Sequence, residues 1–129
     1  MSLPKLVATV LCSLVLSQAP ALAQSPQTSP AVSAKLAVRG DMADLYVPEI
    51  RAVRRNDVMA VQADLANASD RDRVVFYRFR WLDSVGNSIG DGESWKQITL
   101  MGLALKTVKS VAPTPAAIDF RLEMNIEKK

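Results

Sequence analysis

Three carboxylates cluster at one glycine-rich stretch. Asp83 opens it, and Asp91 and Glu93 lie inside Ser84–Ser94, which reads SVGNSIGDGES. Carboxylate oxygens around such a turn are the donor type that Ca²⁺ takes. The spacing D-x₇-D-x-E lacks the alternate-residue ligand rhythm of an EF-hand loop. The plainer reading is an Asx-type turn at Asp83 followed by a solvated loop. Paired carboxylates also run glycoside hydrolysis, but two acids occur by chance in almost any loop, and a chain this short has little room for a deep sugar cleft. Arg78 and Arg80 are the second pair. Two residues apart, they fall on one side of a strand and can hold a carboxylate or phosphate through two parallel hydrogen bonds. Their alternative is cross-strand pairing with Asp119, Glu123 or Asp64. Trp95 follows the glycine-rich stretch, either as an exposed recognition anchor or as a cap on the end of the fold. Arg78, Arg80, Asp83 and Trp95 form the candidate interaction surface. No catalytic, cofactor-binding or metal-binding residue is assigned.

The composition narrows the chemistry further. The chain contains no histidine. That excludes Ser-His-Asp and Cys-His nucleophilic systems, imidazole acid–base catalysis and the usual zinc and copper sites. Its one cysteine, Cys12, lies in an apolar N-terminal run, so no disulfide can form downstream of it. The net charge of +3, of which Lys5 supplies one, is evenly spread. Without a polybasic block, and with few aromatics, nucleic acid is not an expected partner. The scattered methionines include Met59 and Met124 at core-facing positions, where they read as core and not as copper ligands.

Residues 1–23 read as a secretory signal. Lys5 gives the positive start, Leu6–Leu16 the apolar run, and Ala21-Leu22-Ala23 the small residues ahead of a cut before Gln24. The apolar run is too short to cross a hydrocarbon core of ~30 Å as a helix. Leu11 precedes Cys12 where a lipoprotein peptidase needs a small residue, so no lipid anchor is expected. The protein is therefore expected in a bacterial periplasm.

What remains has the size of one domain. Gln24–Ser33, rich in Ser, Gln and Pro, is expected to be a disordered linker, with Pro26 and Pro30 opposing helix. Residues 34–129 are then a single domain. Its clearest strand is Val74–Asp83, with Val75, Tyr77, Phe79 and Trp81 on one face and Arg78 and Arg80 on the other. Val58–Asn67 alternates in the same way. Ile118–Ile126 places Ile118, Phe120, Leu122, Met124 and Ile126 inward. Lys35–Arg39, Glu49–Arg54, Trp95–Leu100 and Leu103–Val111 are weaker strands; Met42–Tyr46 is ambiguous. Asn56-Asp57 and Pro113-Thr114-Pro115 mark turns, and Ser84–Ser94 is expected to be a long flexible connection. About seven short strands without an amphipathic helix predict an all-β, immunoglobulin-like antiparallel sandwich.

One ordered set of residues resembles a known family. Tyr77-Arg78-Phe79-x-Trp81-x-Asp83-x-x-Gly86 follows a strand ending in Asn67. Trp95, Leu100 and Gly102 come next, then Val111-Ala112-Pro113 and Asp119-Phe120-Arg121. This series, over about residues 45–122, resembles the YcfL-like family of small bacterial envelope proteins, which has no assigned activity. The resemblance implies an immunoglobulin-like sandwich in the periplasm and transfers no catalytic residue. Many relatives resemble lipoproteins with a lipobox cysteine; this chain departs there, which favours a free periplasmic form. The expected role is a non-enzymatic accessory module that binds an envelope protein or cell-wall component. The alternative is a Ca²⁺ or small-ligand domain built on Asp83, Asp91 and Glu93.

Overall fold

A computed structural model describes residues 27–127. The proposed signal, its cleavage point and Cys12 lie outside the described residues. After a helical turn α1 (Pro30–Ser33) come seven strands: β1 (Leu36–Arg39), β2 (Leu45–Arg55), β3 (Val58–Asn67), β4 (Arg73–Leu82), β5 (Lys96–Leu100), β6 (Leu105–Val111) and β7 (Asp119–Ile126). They form two sheets, β1-β7-β4-β5 and β2-β3-β6. The architecture is the all-β sandwich that the alternating pattern predicts. Among the described residues no helix is long and apolar enough to cross a membrane.

β4 sits inside the four-stranded sheet because its sequence suits both neighbours. It pairs antiparallel with β7 from Val75↔Ile126 to Leu82↔Asp119, and with β5 from Arg73↔Leu100 to Tyr77↔Lys96. Val75, Tyr77, Phe79 and Trp81 are all buried between the sheets. Phe79 and Trp81 stack with centroids 6.0 Å apart, and Phe120 tilts against both at 6.3 Å. From the facing sheet, Val47, Val61, Ala63 and Leu65 close the core. Aromatic rings of this size dominate the burial energy of a small domain.

Several local expectations are corrected. Pro30 does not oppose helix; it opens α1, where its missing N–H costs nothing, and Ser29 Oγ caps it by accepting from Val32 N–H at 3.3 Å. The segment expected as a linker thus contains the helical turn Pro30–Ser33, while residues 24–26 lie outside the described part. β1 pairs with β7 in parallel, Leu36 beside Leu122 and Arg39 beside Asn125, so the sandwich is not wholly antiparallel. Ile118 is 49% exposed, because β7 starts one residue later. Met42–Tyr46 is partly strand, since β2 already starts at Leu45.

The weak alternation of Glu49–Arg54 has a physical cause. The pairing register of β2 against β3 shifts between Tyr46 and Glu49, at Pro48, which cannot donate to a ladder. The inward set thereby changes phase, from Leu45 and Val47 to Ile50. The β2–β3 hairpin closes through Asn56 and Asp57, with φ of 50° and 64°. Two left-handed residues in a row make the tight turn that Asn and Asp tolerate best.

Candidate functional site

The side of β4 that faces away from the core gathers most of the residues singled out above. Arg78 lies directly across from Glu123 on β7. Its Nε donates to Glu123 Oε2 at 3.0 Å, and Arg80 Nε lies 3.3 Å from Glu123 Oε1. One carboxylate thus sits between two guanidinium groups, one oxygen to each. The Arg78 guanidinium carbon lies 4.4 Å from the centroid of the Trp95 ring, a stacked cation–π geometry. Trp95 is 42% exposed, so it lies on the outer face and does not cap the end of the sandwich.

Using only Nε for Glu123 leaves the outer nitrogens of both arginines unspent. Among the described residues neither Arg78 nor Arg80 has another hydrogen-bonding partner. Arg39 is in register with Asn125, on the same outer face, and forms no ion pair among the described residues. Arg80 stands opposite Arg121, a like-charge pairing that costs energy on a sheet. The conflict is relieved sideways: Arg121 Nη1 turns to Asp119 Oδ2 at 3.0 Å and to the Phe120 carbonyl at 2.7 Å. A depression of about 310 Å³ is lined by Arg39, Arg80, Trp95 and Glu123, and one of about 200 Å³ by Arg78, Arg80, Ser88, Asp91 and Glu123. Sequence periodicity put Arg78 and Arg80 on this face and listed Glu123 as a pairing option. Arg39 was missed because the strand order that sets β1 beside β7 leaves no trace in local pattern.

The three carboxylates of the glycine-rich stretch do not converge. Asp83 Oδ1 accepts from Val85 N–H at 3.0 Å and Asn87 N–H at 2.9 Å, which makes it the Asx-type turn. The stretch folds back as a hairpin, with Ile89 N–H donating to the Trp81 carbonyl at 2.9 Å and Ile89 packed on the core. It is therefore more anchored than a long flexible connection. Glu93 is spent elsewhere. Its Oε2 accepts from Phe79 N–H at 3.1 Å, where β5 no longer pairs with β4, and its Oε1 accepts from Ser110 Oγ on β6. Glu93 so ties the two sheets together two residues before Trp95. Asp91 is exposed. Among the described residues no three acidic, Cys or His side chains are grouped to hold a metal. Beside Glu93, burial first and then its negative charge push the Tyr77 hydroxyl pKa up.

A second polar cluster escaped the sequence reading. Asn67 is 3% exposed. Its Nδ2 donates to the carbonyls of Arg71 (2.7 Å), Leu100 (3.1 Å) and Met101 (3.3 Å), and its Oδ1 accepts from Ser69 N–H (3.0 Å) and Oγ (2.7 Å). Gly102 lies against this corner, and a Cβ there would collide with the Asp70 carbonyl. Asn67, Leu100 and Gly102, three of the residues that carried the family resemblance, thus meet in one structural joint. The only sequence hint was a polar residue ending an otherwise core-facing run.

At the end of the sheet, Lys35 Nζ lies 2.6 Å from Asp119 Oδ1. Burial alone would raise the Asp119 pKa. Hydrogen bonds from Lys35, the Phe120 N–H and Arg121, with the Lys35 charge, outweigh it and bring the value down to about 2.

Known proteins agree with this fold. The structure is similar to the crystal structure of Campylobacter jejuni cj0090, with a TM-score of 0.63 and 20% identity over 72% of this chain and 98% of that one. It is also similar to a DUF1425 family member from Shewanella sp. pv-4, with a TM-score of 0.56 and 22% identity over 66% of this chain and 78% of that one. At such identities the likeness speaks for the fold. No curated protein matches the sequence. The family described as "Protein of unknown function (DUF1425)" matches residues 24–125, nearly the whole chain beyond the expected signal, and the chain belongs to that family.

Proposed function

We propose that this protein is an exported, non-enzymatic module of the bacterial envelope that binds another macromolecule through the outer face of the β1-β7-β4-β5 sheet. The observation that carries the reading is the Arg78 guanidinium stacked on an exposed Trp95, with Arg80 beside it. Tryptophan and arginine are the residues that dominate binding energy at protein interfaces. Here both stand on a paired strand or next to one, so little ordering entropy is lost on binding. Export rests on Lys5, Leu6–Leu16 and Ala21-Leu22-Ala23. The narrower YcfL-like assignment and the periplasmic location belong to the same proposal, supported by the Tyr77-Arg78-Phe79-x-Trp81 series.

The test is a photo-reactive amino acid in place of Gln97, which is exposed and in register with Phe76 on the outer face. Irradiated cells are expected to give one defined adduct. The same group at Arg55, on the other sheet, is expected to give none. No adduct at position 97, or identical adducts at both, contradicts the proposed face. Mass spectrometry of the native protein is expected to find an N-terminus at Gln24; a retained residue 1 contradicts export.

A further inference from the structure

Resting on that reading of the face, we infer that its partner presents carboxylates: an acidic protein segment whose Asp or Glu side chains take the outer nitrogens of Arg78 and Arg80. Glu123 already shows the fit. Its two oxygens reach one arginine each, at 3.0 and 3.3 Å, so the spacing of the two guanidinium groups matches a carboxylate. Because Glu123 engages only Nε, each arginine keeps its outer nitrogens for a second acceptor. Arg39 extends the positive edge across β7. Four arginines (39, 78, 80, 121) stand on this face against Glu123, Asp119 and Asp91. Arg121 is taken by Asp119, Asp91 lines the depression beside Arg78 and Arg80, and one positive charge is left in excess. The unbalanced charge selects an anionic partner. Trp95 and the half-buried Phe76 add apolar contact area on the same face. A peptide has side chains to cover that area, whereas a plane of lipid phosphates does not.

Glu123 has a second consequence. It holds both guanidinium groups through their Nε atoms before a partner arrives. The fork is thus preorganised, and less side-chain entropy is lost on binding.

The probe is fluorescein-labelled octaglutamate, with octaglutamine and vesicles of phosphatidylglycerol as comparisons, titrated against the purified protein at low salt. Octaglutamate is expected to bind and octaglutamine not. Arg78→Gln with Arg80→Gln is expected to weaken binding about tenfold or more, the effect of losing two charge-assisted contacts. Arg55→Gln with Lys109→Gln removes the same net charge from the other sheet and is expected to leave binding nearly unchanged. Circular dichroism of each variant establishes that it is folded. Three results overturn the inference: no octaglutamate binding, equal loss in both double variants, or vesicle binding that depends on the arginine pair without peptide binding. A defined adduct at position 97 with no octaglutamate binding sinks this inference alone. Absence of both sinks the proposed face with it.

Discussion

The two faces of β4 differ in what holds their side chains. Inward, Phe79 and Trp81 are almost wholly removed from water and packed against Phe120. Outward, Arg78 and Arg80 share one carboxylate, and Arg78 lies over a half-exposed indole. Adjacent residues along one strand thus serve different ends. Buried aromatic area holds the domain together. Partly exposed ion pairs contribute tenths of a kcal/mol to about 1 kcal/mol, because water and salt screen them. An outer face that stabilises so little yet keeps two arginines and a tryptophan aligned is available for recognition.

The sharpest way to break that contrast is at the inner face. Phe79→Ala is expected to cost about 3–5 kcal/mol through lost burial and the cavity left behind. Domains of this size have roughly 5–15 kcal/mol in total, so urea denaturation should find the variant barely folded. A midpoint near that of the parent would show that β4 is not the centre of the core. Next comes Asn67→Ala, which leaves the carbonyls of Arg71 and Leu100 without their donor inside a tight corner. The expected loss is about 2–4 kcal/mol, at about 1–2 kcal/mol for each of the two stranded carbonyls, measured the same way.

The sheet end gives a smaller, pH-dependent effect. The folded Asp119 pKa lies below its unfolded value, so ionised Asp119 favours the folded state. That contribution is complete above about pH 4 and fades as pH falls through the folded value of about 2. With a side chain one-third exposed, solvent screening reduces it to about 1 kcal/mol or less. Stability measured from pH 5 to 2 should fall more steeply in the parent than in Asp119→Asn. Equal slopes would show that Lys35 and Arg121 do not hold the carboxylate. The smallest expected stability effect is at the outer face: Arg78→Gln with Arg80→Gln should stay within about 1 kcal/mol of the parent.

Where a segment alternates cleanly, as in Val74–Asp83 and Ile118–Ile126, its strand and its inward side chains were legible in the sequence. The reason is that burial on one face imposes a period of two. Where β2 carries its bulge the period breaks, and the eleven-residue strand looked like a short, weak one. Contacts between segments distant in sequence were not legible. Nothing local says that β1 runs parallel to β7, which brings Arg39 to the arginine face. Nothing local says that Asn67 meets Leu100. Glu93 illustrates the same limit. Its residue type suggested a metal ligand, but β5 stops pairing at Tyr77↔Lys96 and leaves Phe79 N–H for Glu93 to accept. Residue type shows what a side chain can do, and tertiary placement decides which option it takes.

The central claim is that the outer face of β4 serves binding and contributes little to folding. Adduct yield from the photo-reactive group at position 97, compared between the parent and Arg78→Gln/Arg80→Gln at matched protein levels, tests it most directly. The account predicts that the adduct disappears while thermal unfolding barely shifts. Full adduct yield in the double variant, or its unfolding at growth temperature, would contradict it.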